Sequence, residues 1–480
     1  MTQRAWPAWA RASEILDLLR LSGPIAISRL SWMLMGLTDA IVLGQVKGQE
    51  HELAFILNSW LPIGVTLGFG MGILLGVQVL TSELVGRGEE HLSGRIFRRG
   101  MAWALGLGVL VTAITYLVAA PLFNFLFVEI NPNEEMSALM TPTEFASETT
   151  HITQILSLSL LGFMISTVCS YYLEALRRPL IVTITSYLGV GVNLVIDLAL
   201  VLGWWGMPQM GGEGVAWATV GSRWAITIAL IGFAIWLTPA LKPSEPGPGN
   251  EGTRQMTVGG GSAISNIAEW GGFNLTYAIA AFISVAANAV YGYSVQVMGF
   301  CFMFFMGIGT ATSVRVAEHY GRGDMQGVKD ASRLGVVATI VLGLFLGLLI
   351  LAFKDSVALL LVNEEARIDG VMLAPAIAAL LIWSALATTF DGLQATASMA
   401  LRAQGIVWVP SAIHIGSFFV LMIPLCYTMG VTMGRGARGM MEAVTITLLV
   451  ASLLQWGLLE WKTARREKRH AVWKESLEQR

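Results

Sequence analysis

Long apolar runs recur along the whole chain and constrain its fold more than any other feature. A helix needs ~20 mostly apolar residues to cross a lipid bilayer, and charged residues make up only 13% of these 480 residues. The runs therefore predict an all-α membrane protein with twelve transmembrane helices. They lie near residues 21–44, 53–80, 97–127, 152–172, 180–202, 214–238, 263–286, 289–314, 331–353, 371–399, 410–431 and 440–461.

Two copies of one motif indicate that the chain is internally duplicated. The first copy, E-L-V-G-R-G-E, occupies Glu83–Glu89, and the second, E-H-Y-G-R-G-D, occupies Glu318–Asp324, 235 positions later. Each copy follows a long apolar run. Membrane proteins built from parallel copies of one helical unit are mostly transporters, with the substrate path between the copies.

A second internal match supports a colinear repeat. Ala-Leu-Arg at residues 175–177 recurs at residues 400–402, and Gly211 and Gly214 recur as Gly436 and Gly439, at an offset of 225 in both cases. We therefore predict two pseudo-symmetric six-helix lobes in parallel orientation.

The lobe boundaries follow from composition. We place the N-terminal lobe with spans 1–6 at residues 1–238 and the C-terminal lobe with spans 7–12 at residues 263–461. The intervening residues 239–262 are rich in Pro and Gly, which oppose a spanning helix, so they are predicted to be a cytoplasmic linker. Residues 462–480 form a charged cytoplasmic tail, which we expect to be a helix near the anionic leaflet.

The distribution of Lys and Arg predicts the orientation in the membrane. Basic residues concentrate in the amino terminus, the alternate loops and the carboxyl tail, whereas the opposite loops hold few of them. Because basic loops remain in the cytoplasm, both termini are predicted to be cytoplasmic. We expect a multi-pass protein of the cell (inner) membrane.

Four polar residues of the first lobe are predicted to share one depth. Asp39 lies about five residues before the outer end of the first span, Asp197 about five before that of the fifth, and Thr219 about five after the start of the sixth, at ~1.5 Å per residue. Asn193 is four residues before Asp197, on the same helix face. Two carboxylates, an amide and a hydroxyl suit a hard cation or a shared proton, with a purely structural hydrogen-bond network as the alternative.

The second lobe carries its own pair of intramembrane acids, Glu269 early in the seventh span and Asp391 late in the tenth. An intramembrane carboxylate costs roughly 2.5–3.5 kcal/mol on insertion scales, so it is a functional hypothesis by default. A structural role is the alternative, since Arg29 or Arg223 could neutralise such an acid. His414 in the eleventh span is interpreted as a hydrogen-bonded packing residue.

Several functional classes find no support in the sequence. The chain has no G-x-x-x-x-G-K-[ST] motif, so we expect energy from an ion gradient rather than from ATP. It has no H-E-x-x-H or C-x-x-C motif, so a zinc site is not supported. A net charge of −2 gives no reason to expect a nucleic-acid partner. A receptor or intramembrane enzyme would need a soluble domain or a catalytic cluster, and neither is recognisable, so we expect no enzymatic activity and no cofactor.

The order and spacing of several short motifs resemble one known family. They are Pro24 followed by Gly36-Leu-Thr-Asp39, the paired Gly-Arg-Gly loops, Ala-Leu-Arg before the fifth span, and Gly214-Val-Ala-Trp-Ala-Thr219. Together they look like a multidrug and toxic compound extrusion (MATE) transporter of the NorM-like or DinF-like branch, through nearly all twelve spans.

The resemblance implies a V-shaped pair of six-helix lobes that exchange Na⁺ or H⁺ for cationic, amphipathic drugs. Asp39, Asn193, Asp197 and Thr219 then match the amino-terminal cation or proton site, where Na⁺ is possible. Glu269 and Asp391 match the carboxyl-terminal acidic pair, which would bind a cation, a proton or drug. Small-molecule drugs and membrane lipids are the expected partners, and we expect a monomer.

The alternative function is a flippase for a lipid-linked saccharide on a related two-lobe fold. Such a protein is expected to line its cleft with several Arg or Lys residues for the pyrophosphate. Away from the span ends, only Arg29 and Arg223 lie within the predicted spans.

Overall fold

Helices make up almost all of the described chain. The structure, a computed structural model, describes residues 11–44, 52–129, 141–368 and 370–478, without the side chains of residues 53 and 469–478. The α-helices are α1 (Ala12–Leu43), α2 (Glu52–Gly86), α3 (Gly94–Asn124), α4 (Pro142–Ala175), α5 (Pro179–Leu200), α6 (Gly211–Leu237), α7 (Glu251–Ile283), α8 (Val285–Gly321), α9 (Met325–Leu361), α10 (Leu373–Ala403), α11 (Trp408–Ile415), α12 (Ile423–Cys426) and α13 (Gly436–Glu478).

A few short elements complete the described chain. The two-residue strands β1 (Arg367–Ile368) and β2 (Val371–Met372) pair antiparallel between α9 and α10. Short 3₁₀ helices occupy Glu90–Leu92 and Trp204–Gly206, and a π-helical turn, Phe125–Glu129, extends α3. The eleventh span alternates between helix types, because π-helical segments follow both α11 and α12; these segments are Gly416–Met422 and Tyr427–Thr432.

All twelve predicted spans fall on helices, so the prediction of an all-α membrane protein is confirmed. Within the described residues, eleven helical stretches are long and apolar enough to cross a membrane. The remaining span is α7, which has 33 residues but carries polar side chains such as Asn266, Glu269 and Asn274. Large apolar side chains are exposed along the helices, as in Leu360 (86%) and Trp236 (79%), which suits contact with lipid.

The helices pack into two compact units. Among the described residues, one unit contains residues within 11–29, 82–89 and 260–478, and the other contains residues within 30–81 and 90–259. Within the first unit, α10 packs against α8, α9 and α13. Within the second, α4 packs against α3 and α6, and α5 packs against α6. These units do not have the boundaries of the predicted lobes, because the start of α1 and the end of α2 belong with α8–α13.

The two Gly-Arg-Gly motifs have the same local structure. Each ends a helix with a glycine in the left-handed region, Gly88 with φ 75° and Gly323 with φ 73°. In both copies the N–H of this glycine donates to the carbonyl oxygen three residues earlier, at 3.0 and 3.1 Å. The N–H of the next residue donates to the carbonyl oxygen five residues before it, at 2.9 and 3.0 Å. This is the Schellman arrangement, in which glycine avoids the steric cost of a positive φ. The repeat read from the sequence is therefore also a repeat of hydrogen bonds.

The two motif copies also contact each other within the first unit. A Cβ added at Gly86 would lie 2.1 Å from the carbonyl oxygen of Glu318, and one added at Gly321 would lie 2.2 Å from that of Glu83. The Arg322 Nε donates to the carbonyl oxygen of Gly86 at 3.2 Å. The ends of α2 and α8 thus meet backbone to backbone, which only glycine allows at these positions.

The Ala-Leu-Arg match is not structurally equivalent in the two copies. α4 ends at Ala175 and Arg177 takes the left-handed conformation, whereas α10 continues to Ala403 and Gly405 takes that conformation. Arg177 therefore corresponds to Gly405 rather than to Arg402, which is inside the helix. The offset of 225 does hold for the next helices, because α6 begins at Gly211 and α13 begins at Gly436.

The predicted linker is partly helical, because α7 begins at Glu251, shortly after the last proline of the stretch. The Glu251 carboxylate forms ion pairs with Arg95 at 2.9 Å and with Arg99 at 3.2 Å. An acidic side chain is also favourable at a helix N-terminus. The glycines that suggested a linker allow close helix packing instead. A Cβ at Gly259 would lie 2.0 Å from the carbonyl oxygen of Ile73 on α2.

The remainder of the predicted linker is held against the start of α3. Arg98 donates to the carbonyl oxygens of Ala240 at 3.2 Å and Lys242 at 2.9 Å, and to the hydroxyl of Ser244 at 2.9 Å. At the other end of the chain, the predicted tail continues α13 as a helix to Glu478.

Candidate functional site

The first candidate site is a polar cluster on α1, α5 and α6, within the second unit. The Thr219 hydroxyl donates to Asp39 Oδ2 at 3.5 Å. Asn193 and Asp197, one turn apart on α5, are further polar neighbours of the Asp39 carboxylate. The structure thus brings together the four residues that depth and helix periodicity predict to be neighbours.

This cluster is buried, and several of its polar atoms have no hydrogen-bond partner among the described residues. Asn193 and Asp197 are fully buried, and Asp39 is only 7% exposed. Both oxygens of Asp197 and Oδ1 of Asp39 have no hydrogen-bond partner among the residues that the structure describes, and neither has Nδ2 of Asn193. Buried ionised carboxylates are costly unless a cation, a proton or donors neutralise them. The cluster therefore suits Na⁺ or H⁺, both of which carboxylate oxygens bind.

Arg223 is the basic residue beside this cluster. It lies one turn after Thr219 on α6, and its positive charge interacts electrostatically with the Asp39 carboxylate. The guanidinium carbon is 5.2 Å from the centre of the Phe163 ring, which packs edge-on against Trp32 of α1 at 5.6 Å. From the sequence, Arg223 was one of two candidates to neutralise Glu269 or Asp391. The structure places it beside Asp39 instead.

Thr38 is a residue of this site that the sequence reasoning missed. Its hydroxyl donates to the Met35 carbonyl oxygen at 2.7 Å and lies 3.5 Å from Oδ1 of Asn193. Its position next to Asp39 was the one sequence feature that pointed to Thr38, but adjacent residues on a helix do not normally share a face. Only the packing of α5 against α1 reveals this contact.

The second candidate site joins Glu269 of α7 and Asp391 of α10 within the first unit. The link is Gln394, whose amide nitrogen donates to Glu269 Oε1 at 2.9 Å and to Asp391 Oδ1 at 3.3 Å. All three residues are buried. Arg402 lies further along α10, and its positive charge interacts electrostatically with Glu269.

His414 of α11 completes this second cluster. Its Nε2 lies 2.7 Å from Oε1 of Gln394, and its side chain is only 1% exposed. It is hydrogen-bonded and buried, as expected for a packing residue, but its partner is the amide that binds both acids. Gln394 was not predicted from the sequence, although the spacing Asp391-x-x-Gln394 places both residues on one helix face.

Neither cluster has the composition of a transition-metal site. In the described parts of the chain, no group of three or more His, Cys, Asp or Glu side chains is placed to hold a metal ion. Each cluster instead pairs two carboxylates with neutral polar groups. Such a pair can bind one monovalent cation or protons.

Comparison with known proteins places the chain in a family. The family model described as MatE matches residues 24–199 and 262–428. A Caulobacter vibrioides protein named "Probable multidrug resistance protein NorM" is 33% identical over 459 residues, which cover 94% of this chain and 93% of that protein. A Deinococcus radiodurans protein of the same name is 26% identical over 467 residues, covering 96% and 99%.

A solved structure shows the same fold. It is described as the outward-facing conformation of a multidrug resistance MATE family transporter, and it superposes with a TM-score of 0.81. The alignment covers 94% of this chain and 96% of that one at 16% identity, so this likeness concerns the fold alone. Because the family model matches well over half of the chain and a NorM-named relative is 33% identical along nearly all of it, the chain belongs to the multidrug and toxic compound extrusion (MATE) family.

Proposed function

We propose that this chain is a secondary active multidrug efflux transporter that exchanges Na⁺ or H⁺ for cationic, amphipathic drugs. The relatives from Caulobacter vibrioides and Deinococcus radiodurans are named for multidrug resistance, and they match the chain along almost its full length. The sequence has no phosphate-binding loop, so transport would draw its energy from an ion gradient.

Three buried carboxylate oxygens carry the proposal: both oxygens of Asp197 and one of Asp39, which have no hydrogen-bond donors among the described residues. Two ionised carboxylates in an apolar bundle are unfavourable unless positive charge reaches them. A coupling ion supplies that charge from the membrane's outer side, with Asp39, Asn193, Asp197 and Thr219 as its ligands. Arg223 adds a fixed positive charge nearby, so one monovalent ion suffices to neutralise the group.

The second cluster supports the same exchange. Glu269 and Asp391 bind either the coupling ion or the positive charge of the drug, and Gln394 provides neutral N–H donors to both acids. A ligand shifts a conformational equilibrium only by binding one state more tightly than the other. Exchange follows if ion and drug stabilise different states, so that each leaves on the side where the other binds.

The remaining features of the proposal come from composition and from the family. We place the protein in the cell (inner) membrane as a monomer with both termini in the cytoplasm, surrounded by lipid and without a nucleic-acid partner or a cofactor. We expect transport rather than enzymatic activity. The relatives give no support to the alternative, a flippase for a lipid-linked saccharide, since they are named for multidrug resistance.

The test is transport by the purified full-length chain in lipid vesicles loaded with a fluorescent cation. Na⁺ and H⁺ gradients are imposed separately, and vesicles with each gradient collapsed by an ionophore serve as controls. We expect export against the dye gradient under at least one ion gradient. Dye movement that no ion gradient accelerates would contradict the proposal, and movement of a lipid-linked saccharide instead would favour the flippase.

A further inference from the structure

Gln394 has one amide orientation that satisfies its three polar contacts. An ionised carboxylate only accepts hydrogen bonds, and the amide nitrogen carries two hydrogens. Those two hydrogens match the two acids, Glu269 at 2.9 Å and Asp391 at 3.3 Å. The reversed amide would turn its oxygen towards two carboxylates and lose both bonds.

His414 fixes that orientation from the opposite side. With the amide nitrogen towards the acids, Gln394 Oε1 must accept from His414 Nε2 at 2.7 Å, so Nε2 carries the hydrogen. Gln394 is fully buried and His414 is only 1% exposed, so this contact lies away from bulk solvent. His414 Nδ1 has no hydrogen-bond partner within the described residues. Among the described residues, the imidazole therefore makes one hydrogen bond, and that bond is with the Gln394 amide.

His414 lies near the junction of two helix types and packs against a buried aromatic ring. α11 ends one residue later, at Ile415, where the π-helical segment Gly416–Met422 begins. Phe418 on that segment is fully buried, and its ring centre lies 5.7 Å from that of His414. Short π-helical segments frequently occur at functional sites.

Few other titratable or charged groups of the described chain lie near the acid pair. The positive charge of Arg402 lies near Glu269 and His414, and the neutral thiol of Cys301 on α8 lies near Asp391. Several charged residues of α9 and α13 form ion pairs of their own, such as Arg333 with Glu460 at 2.8 Å and Arg438 with Glu442 at 3.1 Å.

We propose that His414 is a positioning residue of the acid pair, whose Nε2–H holds the Gln394 amide with both N–H groups towards Glu269 and Asp391. This inference rests on the proposed function, in which these acids bind a proton, a cation or drug. The fixed amide stabilises the ionised pair, because both of its donors face acceptors. Without the imidazole donor the amide can rotate, and the acids retain their protons to higher pH.

The experiment compares His414→Leu, which removes the donor, with His414→Gln, whose side-chain N–H can still reach Gln394 Oε1. Protonation of the acids in the purified full-length protein is followed by infrared spectroscopy of the carboxylic acid C=O band against pH. The contributions of the two acids are assigned by their loss in Glu269→Gln and Asp391→Asn. We expect the midpoint to move up by about one pH unit in His414→Leu and to stay near the wild-type value in His414→Gln.

Gln394→Leu should shift the titration midpoint as far as His414→Leu does. The double variant should shift it no further, because His414 acts on the acids only through Gln394. His151 on α4 is the matched control, since its Nε2 lies 3.7 Å from Glu213, outside this cluster. His151→Leu should leave the midpoint unchanged. If His414→Leu does not accumulate, His414→Gln and Gln394→Leu decide the question.

Two results would overturn the proposal. An unchanged midpoint in His414→Leu or Gln394→Leu would show that the amide does not control the acids. A shift in His414→Gln as large as in His414→Leu would show that the imidazole itself, rather than a neutral donor, is required. Since the infrared titration needs no transport, a wild-type protein that fails to export would contradict the proposed function without affecting this test. The pH profile of dye export should show the same order of variants.

Discussion

At the scale of single residues, Asp197 has the least complete set of contacts in the first cluster. Asp39 receives the Thr219 hydroxyl at 3.5 Å, whereas neither Asp197 oxygen has a donor among the described residues. A single positive charge between the two carboxylates would stabilise both of them. Groups that share one ion act as a unit, so their substitutions should not be additive.

Asp39→Asn and Asp197→Asn should each reduce gradient-driven export to background, because each keeps the side-chain shape and removes a charge that binds the ion. The double variant should be scarcely worse than either single variant. Asn193→Ala should do less harm, since water can replace an uncharged ligand. Export of a fluorescent cation from vesicles under Na⁺ and H⁺ gradients measures all four proteins. Full export by Asp39→Asn under either gradient would remove this cluster from the mechanism.

Glu269→Gln and Asp391→Asn should lower drug resistance and vesicle export without lowering the amount of protein in the membrane. Their physical effect is to remove the charge that faces the Gln394 amide. Asp355→Asn is the matched control, because that carboxylate pairs with Lys354 and its side chain is 75% exposed. Resistance equal to the wild type in both acid variants would leave Glu269 and Asp391 with structural roles only.

The site residues that the sequence predicts are those with an intrinsic cost in lipid. Asp39, Asp197, Glu269 and Asp391 stand out because a carboxylate within an apolar run is unfavourable wherever the run packs. Gln394 and Thr38 are neutral and common in helices, so their roles depend on which helix lies opposite. That information comes from tertiary packing and is absent from the periodicity of one span.

At the scale of elements, glycine serves two different purposes in the repeated motifs. Gly88 and Gly323 supply a positive φ after the ends of α2 and α8, which local sequence predicts well. Gly86 and Gly321 supply close approach, which depends on the partner helix. The same difference explains why α7 begins within the predicted linker. Its glycines resemble a linker in sequence but pack against α2 in the fold.

Gly86→Ala and Gly321→Ala should each destabilise the protein by about 1–3 kcal/mol, because the added methyl meets a backbone carbonyl that cannot move aside. Gly64 on α2 and Gly299 on α8 are matched controls, since a Cβ at either position has no neighbour within 4 Å. The melting temperature of detergent-purified protein measures the effect. Equal melting temperatures for the Gly86 and Gly64 variants would contradict the close contact of α2 with α8.

Asp324 begins α9 and should stabilise it as an N-cap. It accepts the Gly327 backbone N–H at 2.9 Å and pairs with His319 at 2.9 Å. Partial burial raises the pKa of Asp324, but these two contacts together hold it below its ordinary value. The stabilisation is therefore present above the unfolded-state pKa and is lost as pH falls through the lowered folded-state pKa.

Asp324→Ala should lower stability by about 1 kcal/mol at neutral pH, and Asp324→Asn by less, since asparagine also caps helices. Glu89 holds the equivalent motif position in the first copy, where α3 begins after Ser93 without a side-chain cap. Glu89→Ala should therefore change little. Thermal unfolding at neutral and acidic pH tests the pair, and a loss in Asp324→Ala that is as large at low pH would contradict the capping role.

At the scale of the whole molecule, the basic residues that predict the orientation also make local contacts. Near predicted cytoplasmic helix ends, Arg95, Arg98 and Arg99 hold the segment that leads into α7, and Arg315 pairs with Glu14 and Asp17. Near a predicted outer end, Arg435 and Arg438 share the carboxylate of Glu442. Basic side chains that pair locally still count towards orientation, since acidic residues contribute little to the positive-inside bias.

The orientation of the chain in the membrane can be tested with two reporter insertions. A reporter near Gly249 should lie in the cytoplasm, because this position is close to the basic start of α3 and follows an even number of spans. A reporter near Ser137, which lies outside the described residues, should face the exterior, because its surroundings are acidic and it follows three spans. Both insertions should be scored with one enzyme that is active only in the cytoplasm and one that is active only outside. Reversed signals at both sites would invert the orientation and, with it, the side from which the ion reaches Asp39 and Asp197.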